Sequence, residues 1–575
     1  LAHRRLAIQD LSERGLQPMG SPDRRTWVVF NGEIYNFQIL RPRLQALGHV
    51  FNTLTDTEVV LASYLEWGEE CLAHLEGMFG FAIWDGRQAR LFCARDRLGI
   101  KPFYYAVADG YFVFASEMKA VLTFPGFAAR PDDAAVLGFL THGNCDYGER
   151  TLLQNVKSLP SAHSLTVDLP NRRWSVKRYW ELRPQALNGT ADGQRIAALR
   201  NLLTETTRRH LISDVPAGSC LSGGLDSSTV VSLVGKIRRE QPESATSVAE
   251  SFRTFTSCWK YAELDERDYA LTAARAVGAD PCLVFPSVDD FWTTFPRMAW
   301  HQDMPFYSLS FYSQWCVMRA ARQAGVKVLL DGQGGDEVFG GYAKFRYAYW
   351  ASLLRSRSFD TVLQEVGSTL RHGDRYVFDI RSGYRYLPRQ LRRLLKVDSM
   401  LQGALRGDWD RALATEDTPA TRWWRNALDG HARPSPGTPM QWAQVDDIVL
   451  DTLPALLRME DRSSMAFSLE ARVPLLDHKV VEFGISLPDR LKFQRGFSKF
   501  AVRKAMDRVM PDKLRLRTTK LGFASPDRVW LANDLRGPVT ELLNGPMRSA
   551  KYVDPAALRR WYGSEQAKKA AFNLN

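Results

Sequence analysis

Residues 217–231 read Ala-Gly-Ser-Cys-Leu-Ser-Gly-Gly-Leu-Asp-Ser-Ser-Thr-Val-Val, an order of residue types that suits an anion cradle. Small and apolar residues up to Leu221 fit a buried strand. Gly223 and Gly224 after Ser222 permit a tight turn in which backbone N–H groups converge on an anion. Asp226, Ser227 and Ser228 are N-cap types, and the apolar run Val230, Val231, Leu233, Val234 begins a helix that ends in Lys236-Ile237-Arg238-Arg239. Those cations complement the helix C-terminus and leave its N-terminus to receive negative charge. The Gly-Lys-Ser/Thr of a kinase-type P-loop is missing, so no lysine of this loop reaches a γ-phosphate. A second loop, Asp331-Gly332-Gln333-Gly334-Gly335-Asp336-Glu337, follows the strand-like stretch 326–330. Asp226 and Asp336 would be two carboxylates beside a polyphosphate, an arrangement that wants magnesium. Helix capping is the plainer role for either one alone.

The elements that must hold these loops are legible in the same half of the chain. Ile196, Leu199, Leu202 and Leu203 share one side of a helix that ends at Arg208-Arg209. Strands at 252–257, 282–285 and 326–330 alternate with helices at 266–277 and 312–324. That alternation predicts an open, doubly wound parallel sheet. Ligands of such sheets collect at the carboxyl ends of the strands, so both loops should face one crevice. Residues 345–440 match no motif; they are rich in Arg, Trp and Leu and read as helical.

Residues 1–180 carry a different pattern. Val28-Val29-Phe30 reads as a strand that breaks at Asn31-Gly32, where a hairpin turn is the plain expectation. A helix with Leu40, Leu44 and Leu47 on one face follows. Thr55-Asp56-Thr57-Glu58 precedes a second helix, and residues 78–85, 103–105 and 111–115 read as strands. Many short strands with few helices imply a layered α+β domain. Leu1 replaces a starting Met, and the first residues read as a strand entering a domain, which gives the expectation of a truncated start. The composition shift at Leu187-Asn188-Gly189-Thr190 places a linker between a first domain, 1–185, and a second, 195–575.

Bulk properties narrow the function classes. The chain has 575 residues, with 45% hydrophobic and 24% charged content, as ordinary globular proteins do. Seven cysteines without paired spacing imply neither a disulfide framework nor a zinc site, and a reducing cytoplasm fits. Neither a membrane-length apolar run nor a secretory signal is apparent, so no membrane partner is expected. The net charge of +12 is spread among 64 acids, apart from the basic run 381–396, so a nucleic-acid partner is not expected either. A homodimer is an open assembly state.

Several of these segments resemble known families. Ser-Gly-Gly-Leu-Asp-Ser (222–227) resembles the pyrophosphate loop of enzymes that adenylate a carboxylate. His3-Arg4-Arg5-Leu6, Asn31-Gly32-Glu33 and the segment around Asp56 resemble class II glutamine amidotransferases, an N-terminal-nucleophile fold of two stacked sheets between helices (αββα). That resemblance makes Arg5, Asn31, Gly32, Glu33 and Asp56 a glutamine clamp. A cation suits the α-carboxylate, acids suit the α-amine, and the Asn amide with the Gly N–H suits an oxyanion. The family uses an N-terminal cysteine as nucleophile. Cys71 and Cys93 lie inside the domain and read as core thiols, so the complete protein is expected to begin Met-Cys and to add a first strand. The chain as given is expected to use ammonium salts and not glutamine.

Arg458-Met459-Glu460-Asp461-Arg462, Ser468-Leu469-Glu470-Ala471-Arg472-Val473-Pro474 and Arg517-Thr518-Thr519-Lys520-Leu521-Gly522, with the two loops, resemble the adenylating domain of glutamine-hydrolysing asparagine synthetases. The resemblance implies an ATP site at Leu221, Ser222, Gly223, Gly224, Asp226, Ser227, Ser257, Asp331 and Gly332. It also implies magnesium at Asp226 and Asp336 and catalytic charge neutralisation by Lys520. ATP, magnesium, glutamine and aspartate are the implied cofactors and substrates, with asparagine, glutamate, AMP and pyrophosphate as products through a β-aspartyl-AMP. Gln333 departs from the glutamate of many members, and an amide cannot take a proton from ammonia; Glu337 is the nearest carboxylate in sequence. The alternatives are a related ligase adenylating a sugar acid, peptide or β-lactam precursor, a pyrophosphate-loop RNA-modifying enzyme, and a non-catalytic scaffold.

Overall fold

The computed structural model describes the whole chain except residues 109, 144, 145, 147, 186, 188, 189, 307, 372–436, 520–524 and 565–575. The basic run 381–396 and most of 345–440 therefore lie outside the described residues.

The first half is built on β2 (Thr26–Ile34), whose neighbours are β1 (Met19–Gly20) and β3 (Gly77–Asp85). With β4 (Arg90–Arg95), β8 (His163–Asp168) and β9 (Arg173–Arg178) they form an antiparallel six-stranded sheet, ordered β1-β2-β3-β4-β8-β9. Three further strands, β5 (Tyr104–Ala108), β6 (Tyr111–Ala115) and β7 (Lys157–Ser158), form a second sheet ordered β6-β5-β7. Alternation along the strands decides the layers. Val28, Phe30 and Ile34 pack with Leu40 and Leu44 of α1 (Phe37–Ala46) and with Val59 and Val60 of α2 (Asp56–Trp67). Val29, Ala82 and Cys93 turn the other way, against Phe103 and Tyr105. Tyr104 and Ala106 then meet Met118 and Val121 of α3 (Met118–Val121). The order is helix, sheet, sheet, helix.

Two expectations fail here. No turn forms at Asn31-Gly32: β2 runs through both residues, with Asn31 opposite Gly80 and Gly32 opposite Phe79. The glycine serves close approach instead, since a Cβ on Gly32 would lie 2.0 Å from Met78 O. Nor do residues 1–8 form a strand. That segment folds onto its own loop: Arg5 donates to the carbonyls of Gln9, Asp10 and Ser12 at 2.8, 2.5 and 2.9 Å.

In the second half β10 (Ala217–Cys220), β11 (Arg253–Ser257), β12 (Asp280–Val284), β13 (Val328–Leu330) and β14 (Glu470–Arg472) form one parallel sheet, ordered β12-β11-β10-β13-β14. Every neighbouring pair is parallel. On one face Val328 and Leu330 pack with Leu199 and Leu203 of α4 (Asp192–His210), with Val230, Val231 and Val234 of α5 (Leu225–Glu240), and with alanines of α6 (Arg267–Val277). On the other face Leu329 and Phe255 meet Val317, Met318 and Ala321 of α7 (Ser310–Gln323). The chain order reverses between β10 and β13, so the crevice opens above those two strands. Among the described residues no helix is long and apolar enough to cross a membrane.

The halves meet on buried charge. Helix α8 (Leu453–Met465) presents Asp461 to Lys101 at 3.2 Å and Arg462 to the Ser116 carbonyl at 2.6 Å. Arg472, wholly buried, donates to Glu33 Oε2 at 2.6 Å, to Glu470 at 2.7 Å, and to the carbonyls of His210 and Ile212.

Candidate active site

The strand ends and both loops arrive together as the motif order requires. Leu221 N–H donates to Phe255 O at 2.9 Å, and Thr256 Oγ1 donates to Leu221 O at 2.6 Å, which fixes the exits of β10 and β11. Ser222 Oγ lies 3.1 Å from Ser227 Oγ and accepts from Gly224 N–H at 3.3 Å. Gly224 is the residue before α5, so Asp226 and Ser227 belong to the first helical turn, one step inside the cap positions read from the sequence. Ser257 Oγ, at the end of β11, is buried and has no hydrogen-bond partner among the described residues.

The second loop is glycine-rich because it lies on the first. A Cβ on Gly332 would fall 2.5 Å from Ser227 N, and one on Gly335 would fall 2.5 Å from Asp226 Cγ. This contact brings Asp226 and Asp336 together from opposite sides of the crevice. Both carboxylates grip one ammonium, that of Lys499, with Asp336 Oδ1 at 2.6 Å and Asp226 Oδ2 also in contact. Lys499 is 3% exposed and sits at positive φ before the short helix 500–505. Burial alone would lower its pKa; the two carboxylates outweigh that and hold it above the ordinary lysine value.

Two hard carboxylates converging on a cation position fit magnesium, which takes one or two carboxylates and completes its shell with phosphate oxygens and water. No three His, Cys, Asp or Glu among the described residues could hold a metal without such help. Lys499 gave no signal in the sequence, since a lone lysine 273 residues from Asp226 belongs to no motif. Arg517, which opens the 517–522 motif but carries no role in the sequence reading, donates to Gly223 O at 3.2 Å, pairs with Glu266, and lies over the Tyr269 ring. Lys520 lies outside the described residues.

Gln333 is half-buried in the second loop, whereas Glu337 is fully buried and accepts from Tyr342 Oη at 2.7 Å. Burial first, then the neighbouring Asp336 and Asp447, pushes the Glu337 carboxyl up to about 7.

In the first half the clamp residues come together only in part. Asn31 and Gly32 lie in β2, and Asp56 opens α2, where its Oδ2 accepts from Ile34 N–H at 2.9 Å. Burial raises Asp56 to about 7. Glu33 accepts from Gln9 Nε2 and from Arg472 of the second half. Arg5 is not brought to these groups by any hydrogen bond; its guanidinium is spent on the loop carbonyls described above. Cys71 and Cys93 are both fully buried, and burial raises their thiols.

Comparison with known proteins agrees with this two-part architecture. A family model described as asparagine synthase matches residues 198–574, and one described as a glutamine amidotransferase domain matches residues 1–180. Glutamine-hydrolyzing asparagine synthetase 1 of Bacillus subtilis (strain 168) is 30% identical over 548 residues, covering 94% of this chain and 82% of the relative. Glutamine-hydrolyzing asparagine synthetase 3 of the same organism is 30% identical over 533 residues, covering 90% and 78%. The amidase chyE of Penicillium rubens is 27% identical over 607 residues, covering 100% and 87%.

Proposed function

Since the chain belongs to the asparagine synthase family and carries a glutamine amidotransferase domain ahead of the synthase domain, we propose that it is a glutamine-dependent asparagine synthetase. The overall conversion is ATP, aspartate and glutamine to asparagine, glutamate, AMP and pyrophosphate. The observation that carries this reading is the convergence of Asp226 and Asp336 on one buried cation position where β10 and β13 end.

The β-carboxylate of aspartate attacks the α-phosphorus of ATP, and the bond to the bridging oxygen breaks to release pyrophosphate. Ammonia then attacks the acyl carbon and AMP leaves. Adenylation matters because a carboxylate oxygen is a poor leaving group and AMP is a good one. Backbone N–H groups of residues 222–227 cradle the phosphates, and Leu221, Ser257, Asp331 and Gly332 border the nucleotide. Asp226 and Asp336 would hold magnesium, which supplies charge compensation to the departing pyrophosphate. Lys499, and Lys520 by family resemblance, add positive charge at the same place.

On the glutamine side Asn31 and Gly32 would stabilise the oxyanion, with Glu33 and Asp56 at the α-amine. Arg5 would bind the α-carboxylate by exchanging its loop carbonyls for it. Ammonia released there would pass internally to the second half.

Phosphorus NMR of a mixture with aspartate and ammonium tests the reading. AMP and pyrophosphate are expected; ADP and inorganic phosphate would refute adenylation. A parallel screen of carboxylic acids for pyrophosphate release should rank aspartate first, and a sugar acid or peptide ranking higher would replace the acceptor.

A further inference from the structure

Helix α8 separates the two halves, and most of its charged groups are committed to the first: Arg458 to Asp146, Asp461 to Lys101, Arg462 to Glu117 and the Ser116 carbonyl. Glu460 is the exception. It is 2% exposed, and neither of its carboxyl oxygens meets a nitrogen or hydroxyl donor among the described residues. Its nearest charged neighbour is another carboxyl, that of Asp331, at the point where β13 ends and the second loop begins. The Cys220 thiol, at the end of β10, lies beside the same pair. Lys101 and Asp461 complete the charged surroundings, and the Lys101 ammonium is held by Asp461 Oδ1 at 3.2 Å.

Two neighbouring carboxyls, Glu460 buried and Asp331 half-buried, cannot both be ionised at modest cost, so the pair keeps a proton between them. Burial drives both groups above the ordinary carboxylate range. The other carboxylates near the loops are spoken for: Asp226 and Asp336 by Lys499, and one oxygen of Glu337 by Tyr342.

We propose that the Asp331–Glu460 pair is a receptor for an ammonium group, giving up its shared proton when the cation enters. The exchange conserves charge. The pair is at −1 with its proton, and two carboxylates plus one R–NH3+ are again −1, so binding places no extra charge in the interior. The ammonium group has two sources in the reaction: the α-ammonium of an amino-acid acceptor, or the ammonium that supplies the new amide nitrogen. This inference rests on the proposed aspartate amidation, which supplies both amines.

The test is calorimetric titration of the full chain with L-aspartate, in the presence of magnesium and a non-hydrolysable ATP analogue, and separately with ammonium chloride. Buffers of different ionisation enthalpy at pH 7 report the protons released. Wild type should release about one proton with one of the two amines, and Glu460→Gln, which mimics the protonated acid, should release none. In turnover assays Glu460→Gln should raise the KM of that amine at least about tenfold, with the KM of ATP within about twofold. A shift in the aspartate arm assigns the pair to the acceptor, and a shift in the ammonium arm assigns it to the nitrogen donor. No proton release with either amine in wild type would overturn the proposal even if Glu460→Gln failed to fold. Unchanged KM values for both amines in Glu460→Gln would also overturn it. If wild type forms no pyrophosphate with aspartate, the acceptor reading fails by itself, and the ammonium arm alone decides the pair.

Discussion

In the parallel sheet, Asp226 and Asp336 hold the ammonium of Lys499 between them; in the antiparallel sandwich, Asp56 takes a backbone N–H from Ile34 and is raised to about 7 by burial. Asp226 and Asp336, partly buried, are compensated by a fixed cation, whereas the buried Asp56 is left to hold a proton. A cation held between two carboxylates favours their ionised forms, the forms that phosphate chemistry with magnesium uses. An uncompensated acid near pH 7 changes charge with its surroundings and can be ionised by a ligand that brings its own cation.

The largest effects should fall on the compensated site. Asp226→Asn and Asp336→Asn should each lower pyrophosphate release by about a hundredfold or more, with the fold retained. Lys499→Met should leave two partly buried aspartates without their cation and cost up to about 3–5 kcal/mol of stability, of which magnesium should restore a part. Turnover assays and thermal melts with and without magnesium check both. Near-normal turnover in either Asn variant would erase the contrast between the two sites.

A smaller effect sharpens the other side. The folded pKa of Asp56 lies above its unfolded value, so the folded state binds the proton more tightly. Its contribution to stability is present below about pH 4, is lost as pH rises toward about 7, and is constant above that. Asp56→Asn should remove this decline, by at most roughly 4 kcal/mol, and should be relatively more stable at pH 8 than at pH 5. Denaturant melts at the two pH values read it directly, and a parallel pH profile for variant and wild type would mean that Asp56 is compensated after all.

The smallest effect is expected at Gln333. An amide is no proton acceptor, so Gln333→Glu should leave the ammonium-dependent rate within about threefold or raise it. A collapse would give the amide a positioning role in the loop.

The same contrast governs what could be read from the sequence. Buried parallel strands alternating with amphipathic helices are encoded locally, so β10, α5, β11, α6 and β13 fall within a few residues of their expected places. Glycine spacing drew attention to Asp226 and Asp336, and the family resemblance supplied the other proposed nucleotide contacts on the two loops. Asn31-Gly32 misled because an Asn-Gly turn signal is local, whereas β2 is held straight by nine pairings with β3. β14 went unseen because it is three residues long within a segment of no strand periodicity. Lys499 was invisible for a different reason: its meaning depends on two aspartates distant in the chain.

Arg472 reaches Glu33 across 439 positions of the chain. During synthesis at about 5–20 residues per second, the carboxylate of Glu33 waits some 20–90 s before its guanidinium exists. Through that interval the first half carries Glu33 without its later partner, at a face that is still charged and wet. The union of the two halves is then a late event, and its timing is set by the ribosome.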